Sequence, residues 1–432
     1  MLDIQFIREN ADLVQVKSMQ KGYNVDVTKL LELDVERRGL IQEVTSLQTS
    51  RNALAQAAKG KRPSEAQIEE GRTLKEKATL LEERLKITED LYAELLRAVP
   101  NMPTADVPVG TSEDENKVAK IVGEPKEYDF KPKHEYQLAE PRGLIDKERA
   151  AKIAGSRFAY LKGDLVRLQF ALIQFVLQTL GDERVIEKLV QENGLHVSAK
   201  PFTPILPPAM LRTEPYVASA RLNAEEVTYK IEQDDLWLNA SAEHTLCTMY
   251  WNEILPEEEL PIRYIGYSTS FRREAGTYGK DAEGIFRMHQ FDKLEMEVFS
   301  LPETGLEEHL LLVAIQEYLV QQLELPYRLL QKCTFDIGKP NARGVDIDCW
   351  FPGQGGYRET HTADYMTDYQ ARDLKIRTRR ADGKVEFVHT NDATAFAMGR
   401  ILKAIMENYQ TADGHVIVPE VLRPFMGGQE EI

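Results

Sequence analysis

Cysteine is scarce in this chain, with three in 432 residues, at Cys247, Cys333 and Cys349. They stand far apart and lack the paired spacing of a zinc site or the density of a disulfide scaffold. The expectation is small buried thiols in a reducing compartment, with no zinc. The eight histidines show no HExxH or comparable spacing, so a structural metal is not indicated. Long apolar runs are also missing. The best, LLLVAI near residue 310, is far shorter than a membrane span, so no membrane association is expected. The start MLDIQFIREN is amphipathic and lacks an apolar h-region, so no signal peptide is expected and the location reads as cytoplasmic. Excess positive charge is absent too. A formal net charge of -16 argues against a generally nucleic-acid-coating surface, while leaving room for local basic patches. Nor is there a GxxxxGK[ST] loop, and GQGG at 353–356 is too short for a dinucleotide turn. A nucleotide, if bound, requires another fold.

What is present begins with two helical stretches. At 28–58, Leu30, Leu33, Arg37, Leu40, Val44, Leu47, Arg51 and Leu54 recur by three and four. At 64–99, Leu74, Ala78, Leu81, Leu85, Thr88, Tyr92, Leu95 and Val99 do the same. This is a coiled-coil seam. Asp26, Thr28 and Ser64 suit N-caps. Gly60 and Pro63 break the pattern between them, and Lys59, Lys61 and Arg62 make a basic tip. An antiparallel hairpin over about 28–99 follows, with an arm roughly 45–50 Å long. Two uses remain open for it: a dimerisation coiled coil, or a reach to an RNA backbone. Pro100, Pro103 and Pro108 end the arm in an extended linker. The expected boundary lies at 110, with one domain at 1–110 and a second at 111–432, where short strand-like and helix-like stretches alternate without a βαβ rhythm.

The richest stretch is FRREAGTYGKDAEGIFRMHQFDKLEME, residues 271–297. With a strand period of two, Arg272 and Glu274 share one face. In the second arm Arg287, His289, Phe291, Lys293 and Glu295 share a face, while Phe286, Met288, Leu294, Met296 and Val298 form the apolar back. Such a strand has its back in a core and its front in a polar pocket. Arginine offers a fork for phosphate, an aromatic face stacks on a base, and a carboxylate reads an ammonium or hydroxyl. Lys280 and Asp281 fall in the turn.

Three further patterns fit this one. Ser241 and Glu243 lie two apart on an apparent strand, a hydroxyl and a carboxylate suited to a small amino acid. Glu359 and Thr362, in a segment that alone reads as a loop and a polar strand, are oxygen donors suited to Mg²⁺ beside phosphates. Thr390, Asn391, Asp392 and Thr394 form an expected polar loop ahead of a helix, where Gly399 permits close approach and Arg400 sits in the first turn.

These residues resemble motif 2 of class II aminoacyl-tRNA synthetases, and their wording is similar to that of seryl-tRNA synthetases. The likeness extends to LDVERR and RNALA in the arm, VPNMPTADVPVG in the linker, AGSRFAYLKG at 154–163 and the ending ENYQTADGHVIVPEVLRPFMGG. It implies an α+β chain, with an N-terminal antiparallel two-helix coiled-coil arm for tRNA followed by a class II catalytic domain. That domain is implied to be a seven-or-so-stranded antiparallel sheet flanked by helices, and the protein a homodimer. It implies a serine–tRNA ligase acting on L-serine, ATP with Mg²⁺, and tRNA(Ser), with tRNA(Sec) a further candidate acceptor. Motif 1 falls on Leu165–Leu180 and FTPILPP, with Pro208 at the dimer interface.

Carried over by position, Arg272 grips the α-phosphate, Glu274 reads the adenine amino group, and Phe291 stacks on adenine with Arg400 on the other side near the γ-phosphate. Arg273, Thr360 and His361 are likewise implied to bind ATP, and Glu359 and Thr362 hold the metal–ATP unit. Ser241, Ala242, Glu243, Arg272, Glu295 and Thr394 line the serine pocket, and Lys59, Lys61 and Arg62 contact tRNA. The chain departs from the family wording at Ser241, at 360–366, at Asp373 and at 391–393. Two rivals are a paralogue loading a carrier protein, which lacks such an arm, and a catalytically inactive RNA-binding paralogue.

Overall fold

The computed structural model describes residues 1–57, 59, 64–222, 228–274 and 283–432. Lys61, Arg62, Lys280 and Asp281 lie outside the described residues. Two compact units, Met1–Met102 and Pro103–Ile432, divide inside the proline-rich linker, ahead of residue 110.

In the first unit, α1 (Val27–Ala57) and α2 (Glu65–Ala98) pack as the expected antiparallel pair. Asp26 Oδ1 accepts from Lys29 N at 2.8 Å, and Ser64 with Gln67 forms a reciprocal capping box. Leu30, Leu33, Leu40, Val44, Ala78 and Thr88 of the seam are buried. Arg84–Glu36 and Arg37–Glu89 cross between the helices. Both pairs are largely exposed, so they tune register more than stability.

The second unit is built on an eight-stranded sheet among the described residues. Its strands are β1 (Lys117–Val122), β2 (Thr203–Ile205), β3 (Ile262–Phe271), β4 (Gln290–Ser300), β5 (Tyr327–Gln331), β6 (Arg343–Phe351), β7 (Gly356–Thr367) and β8 (His389–Ala397). The spatial order is β1-β5-β6-β7-β8-β4-β3-β2. Every pairing is antiparallel except the parallel edge pair β2–β3, so the sheet is the expected one of about seven strands with a parallel strand at one edge. Leu294, Met296 and Val298 of β4 enter one apolar core with Ile347, Ala363 and Ala393 of neighbouring strands. Helices α3 (Asp164–Leu180), α4 (Gly305–Gln322) and α5 (Met398–Asn408) add Leu168, Leu172, Leu311, Ile315, Ile401 and Ile405 to that core.

The expected polar loop at 390–394 is instead the central strand β8. Asn391 and Asp392 favour turns in isolation, but here each backbone group is paired on both sides, with β4 and with β7. Tertiary pairing overrides local preference. Beyond Ala363↔Ala393 the pairing of β7 with β8 stops. At the opening, α4 supplies Gln316, whose Nε2 donates to Thr362 O at 2.7 Å and Thr394 O at 2.8 Å. Two carbonyls freed from the ladder are thus satisfied, as buried backbone acceptors must be.

Arg263 on β3 is among the largest fully buried side chains of the described residues. Its guanidinium donates to Glu308 at 2.9 and 2.8 Å and to the carbonyls of Ser198 and Lys200 at 2.8 and 2.6 Å. Glu308→Ala leaves that charge without its carboxylate, which costs about 3–5 kcal/mol. Denaturant unfolding is expected to show a loss of that size, and a loss below about 1 kcal/mol contradicts the assignment.

Candidate active site

A cleft of about 100 Å³ opens where β7 and β8 part, lined among others by Arg272, Glu274, Phe291, Glu359, Thr360, Thr362 and Arg400. Arg272 and Glu274 do not share a strand face as expected, because β3 ends at Phe271. Arg272 still extends the pairing, its N–H donating to His289 O at 2.9 Å, while Glu274 takes a left-handed turn at φ +51°. That turn brings the Glu274 carboxylate to Arg287, 2.7 Å away. The Arg272 guanidinium lies over the Phe291 ring at 5.3 Å and donates to Ala240 O at 3.1 Å. Arg273 is exposed, over Tyr229.

On the opposite wall Arg400 meets Glu359 at 2.7 Å and covers Phe286 at 5.1 Å. Phe291 and Arg400 line the same cleft, and the first turn of α5 brings Arg400 to Glu359 of β7. That approach depends on Gly399: a Cβ there falls 2.3 Å from Ile285 O. The Ile285 segment is itself pinned, since Glu135 Oε1 accepts from Ile285 N at 3.0 Å and Glu135 also pairs with buried Lys403 of α5.

Glu359 and Thr362 are three apart, which places them on opposite faces of a regular strand. The pairing Ile347↔His361 is followed by Asp348↔Glu359, so Thr360 is an extra residue in β7. The bulge brings Glu359 and Thr362 to the same side, into the cleft. It also sends His361 away from it, buried against Phe396 at a 5.7 Å ring separation. Thr360 is buried, its hydroxyl donating to Ile347 O at 3.1 Å. The side chain of Glu359 is 48% exposed. The surrounding wall works to raise its pKa, but Arg400 and Lys332 outweigh that and hold it at about 2.

Beside the cleft lies a second, buried group. Ser241 and Glu243 sit in a turn and the start of a short helix, Glu243–Leu246, and not on a strand. Ser241 Oγ donates to Glu295 Oε2 at 3.2 Å, and Lys293 Nζ reaches both Ser241 Oγ, at 3.1 Å, and Glu295. Burial pushes the Glu295 carboxyl up to about 7, opposed by Lys293 and reinforced by Glu243. Glu243 pairs with Arg221 at 3.4 Å and His244 at 3.2 Å. Burial raises its pKa, but these partners hold it well below the ordinary range. Ala242 is fully buried and packs where a Cβ on Gly266 of β3 falls 3.3 Å away. Thr394 lines the cleft at its junction with this group.

Arg221, which also grips Asp392 of β8, carried no sequence signal, since it stands in no periodic element. Lys293 did carry one, through its place on the polar row of β4. Lys59 is exposed on the first unit.

Gly399→Ala forces the Ile285 carbonyl and the start of α5 apart. Overpacking of this kind costs about 1–3 kcal/mol, so the denaturation midpoint falls. An unchanged midpoint contradicts the close approach.

Residues 1–103 match the seryl-tRNA synthetase N-terminal domain, and residues 228–409 match the tRNA synthetase class II core domain (G, H, P, S and T). The serine–tRNA ligase of Thermodesulfovibrio yellowstonii is 40% identical, with 99% of each chain covered; that of Nitrosopumilus maritimus is 37% identical over 100% of each. The crystal structure of seryl-tRNA synthetase from Pyrococcus horikoshii complexed with ATP superposes with a TM-score of 0.86 at 37% identity, covering 100% of this chain and 99% of that one. The cytoplasmic serine–tRNA ligase of Naegleria fowleri in complex with AMP gives 0.83 at 30% identity, with 100% and 98% covered. With coverage this complete at both levels, the chain belongs to the seryl-tRNA synthetase family of class II aminoacyl-tRNA ligases.

Proposed function

We propose that the cleft and the buried group beside it form one site that joins L-serine to ATP and then to tRNA(Ser). The observation that carries this reading is the contiguity of two chemistries. Arg272, Phe291 and Arg400 suit a triphosphate and a base, and Ser241, Glu243 and Glu295 suit a small amino acid, with Thr394 and Lys293 at the border. In the first step a carboxylate oxygen of serine attacks the α-phosphorus, the bond to the bridging oxygen of the β-phosphate breaks, and pyrophosphate leaves. The terminal ribose hydroxyl of tRNA then attacks the seryl carbonyl, losing its proton as AMP departs. No protein nucleophile is needed; the work is orientation and charge stabilisation.

In this reading Arg272 holds the α-phosphate, Glu274 the adenine amino group and Phe291 the adenine ring, with Arg273 at the entrance. Arg400 takes the γ-phosphate. Glu359, kept ionised, and Thr362, brought beside it by the bulge, are hard oxygen donors that fit Mg²⁺, which binds through one or two protein ligands plus phosphate. When bound, that ion neutralises phosphate charge. Thr360 lines the ATP cleft, and His361 supports the bulge from behind. Serine is selected over alanine because its hydroxyl satisfies buried acceptors that alanine leaves unpaired.

Residues 1–110 are assigned to tRNA binding, with Lys59, Lys61 and Arg62 at the arm's tip, and 111–432 to catalysis. The exposed apolar side chains of Leu206 and Met210 around Pro208 support a homodimer through that segment. Three buried free thiols support a cytoplasmic location. tRNA(Sec) remains a second candidate acceptor.

Arg272→Ala and Arg400→Ala are each expected to lower serine-dependent ATP–pyrophosphate exchange by about 100-fold or more. Exchange within about threefold of the parent in either variant overturns its phosphate role. Deleting 28–99 is expected to leave exchange largely intact while transfer to tRNA collapses. Charging at the full rate by the armless protein means the arm is a coiled coil with no part in tRNA binding.

A further inference from the structure

The polar row of β4 does not stop at Glu295. Glu297, two residues on, is fully buried, and neither of its carboxyl oxygens has a hydrogen-bond partner. Its cross-strand neighbour on β8 is Asp392, 1% exposed, whose Oδ1 is also unpartnered, as is Oε1 of Glu295. Carboxylate oxygens of Glu243, Glu295 and Asp392 lie within 4.8 Å of one another. Four carboxyl groups therefore converge on one volume. The cations facing them are Arg221, on Glu243 and Asp392, and Lys293, on Glu295. His244 touches Glu243 but is held neutral by burial. Asp364, on the far side of Arg221 at 4.0 Å, lies opposite Asp392 on β7 and also borders Lys332.

Two negative charges are in excess when all four carboxyls are ionised; burial opposes that state and raises the pKa of Glu297 and Asp392 well above the ordinary range, so an incoming cation is what ionises them. The α-ammonium of an amino acid at Ser241 and Glu295 matches one. Serine then offers a single hydroxyl proton to the unpartnered oxygens of Glu295, Asp392 and Glu297, and no second charge. A buried carboxylate without a partner is strongly unfavourable, and so is an unsatisfied acceptor beside it. Resting on the amino-acid pocket proposed above, we infer that the pocket also accepts a short α-amino acid whose side chain ends in a second ammonium. The side-chain ammonium sits among Glu295 Oε1, Asp392 Oδ1 and Glu297, with Arg221 clamping the outer oxygen of Asp392. Activation follows the same course as for serine: the amino acid's carboxylate attacks the α-phosphorus and pyrophosphate leaves.

The test is ATP–pyrophosphate exchange by the full-length protein with L-serine, L-2,3-diaminopropionate, L-2,4-diaminobutyrate and L-2-aminobutyrate, the last matching diaminopropionate in shape without its charge. At least one diamino acid is expected to support exchange with kcat/KM roughly tenfold or more above that of 2-aminobutyrate. Glu297→Gln and Asp392→Asn are each expected to lower the ratio of diamino-acid to serine efficiency by roughly tenfold or more. Exchange with serine but with neither diamino acid overturns the inference and leaves the serine reading intact, as does a ratio unmoved by both substitutions. Absence of exchange with every amino acid, serine included, overturns both.

Discussion

The site depends on the two-residue period of β4. Leu294, Met296 and Val298 enter the core and fix the strand's register, because a one-residue slip would bury the opposite set. Phe291, Lys293, Glu295 and Glu297 are thereby committed to the other face. Once Lys293, Glu295 and Glu297 are buried there, each ionised group requires a partner, since removing a charge from water is far costlier than an apolar contact is favourable. Ser241 and Arg221 come from elsewhere in the chain to meet that requirement. A core-packing constraint thus generates a charged pocket, and the pocket's chemistry follows from which charges remain uncompensated.

Two one-residue irregularities convert this sheet into a cleft. The extra residue Thr360 in β7 turns Glu359 toward Thr362 and Arg400. In β8 the register steps from Phe396 to Thr394 opposite Leu294 and Glu295, leaving Ala395 extra. Both lie near the point where β7 and β8 separate, and Gln316 closes the floor of the gap from α4. Bulges bend and re-aim strands at little cost in core burial, which is why the apolar back remains continuous while the front opens. Ion pairs made by Lys403 and a single glycine at 399 then hold the second wall in place.

Much of this was legible in the sequence where periodicity acts alone. The heptads of the arm, its caps at Asp26 and Ser64, and the alternation of β4 are local signals, and the structure contains all three. Features that depend on a distant partner were not legible. The segment 390–394 resembles a loop until β4 and β7 pair with it, and Ser241 and Glu243 resemble a strand until Glu243 opens a helix against Arg221. The bulge at Thr360 is invisible without the facing strand, and so is the exclusion of His361 from the cleft. Arg221 had no pattern to betray it.

The central claim is that one continuous site spans the Phe291 cleft and the Ser241–Glu295 pocket. A crystal structure of the protein with a non-hydrolysable seryl-adenylate analogue tests it most directly. The account predicts adenine on Phe291, the phosphate surrogate on Arg272, and the seryl ammonium between Ser241 and Glu295, with the Lys293 ammonium displaced from that position. An analogue whose adenine avoids Phe291, or whose seryl group lies outside the Ser241–Glu295 pair with Lys293 unmoved, contradicts it.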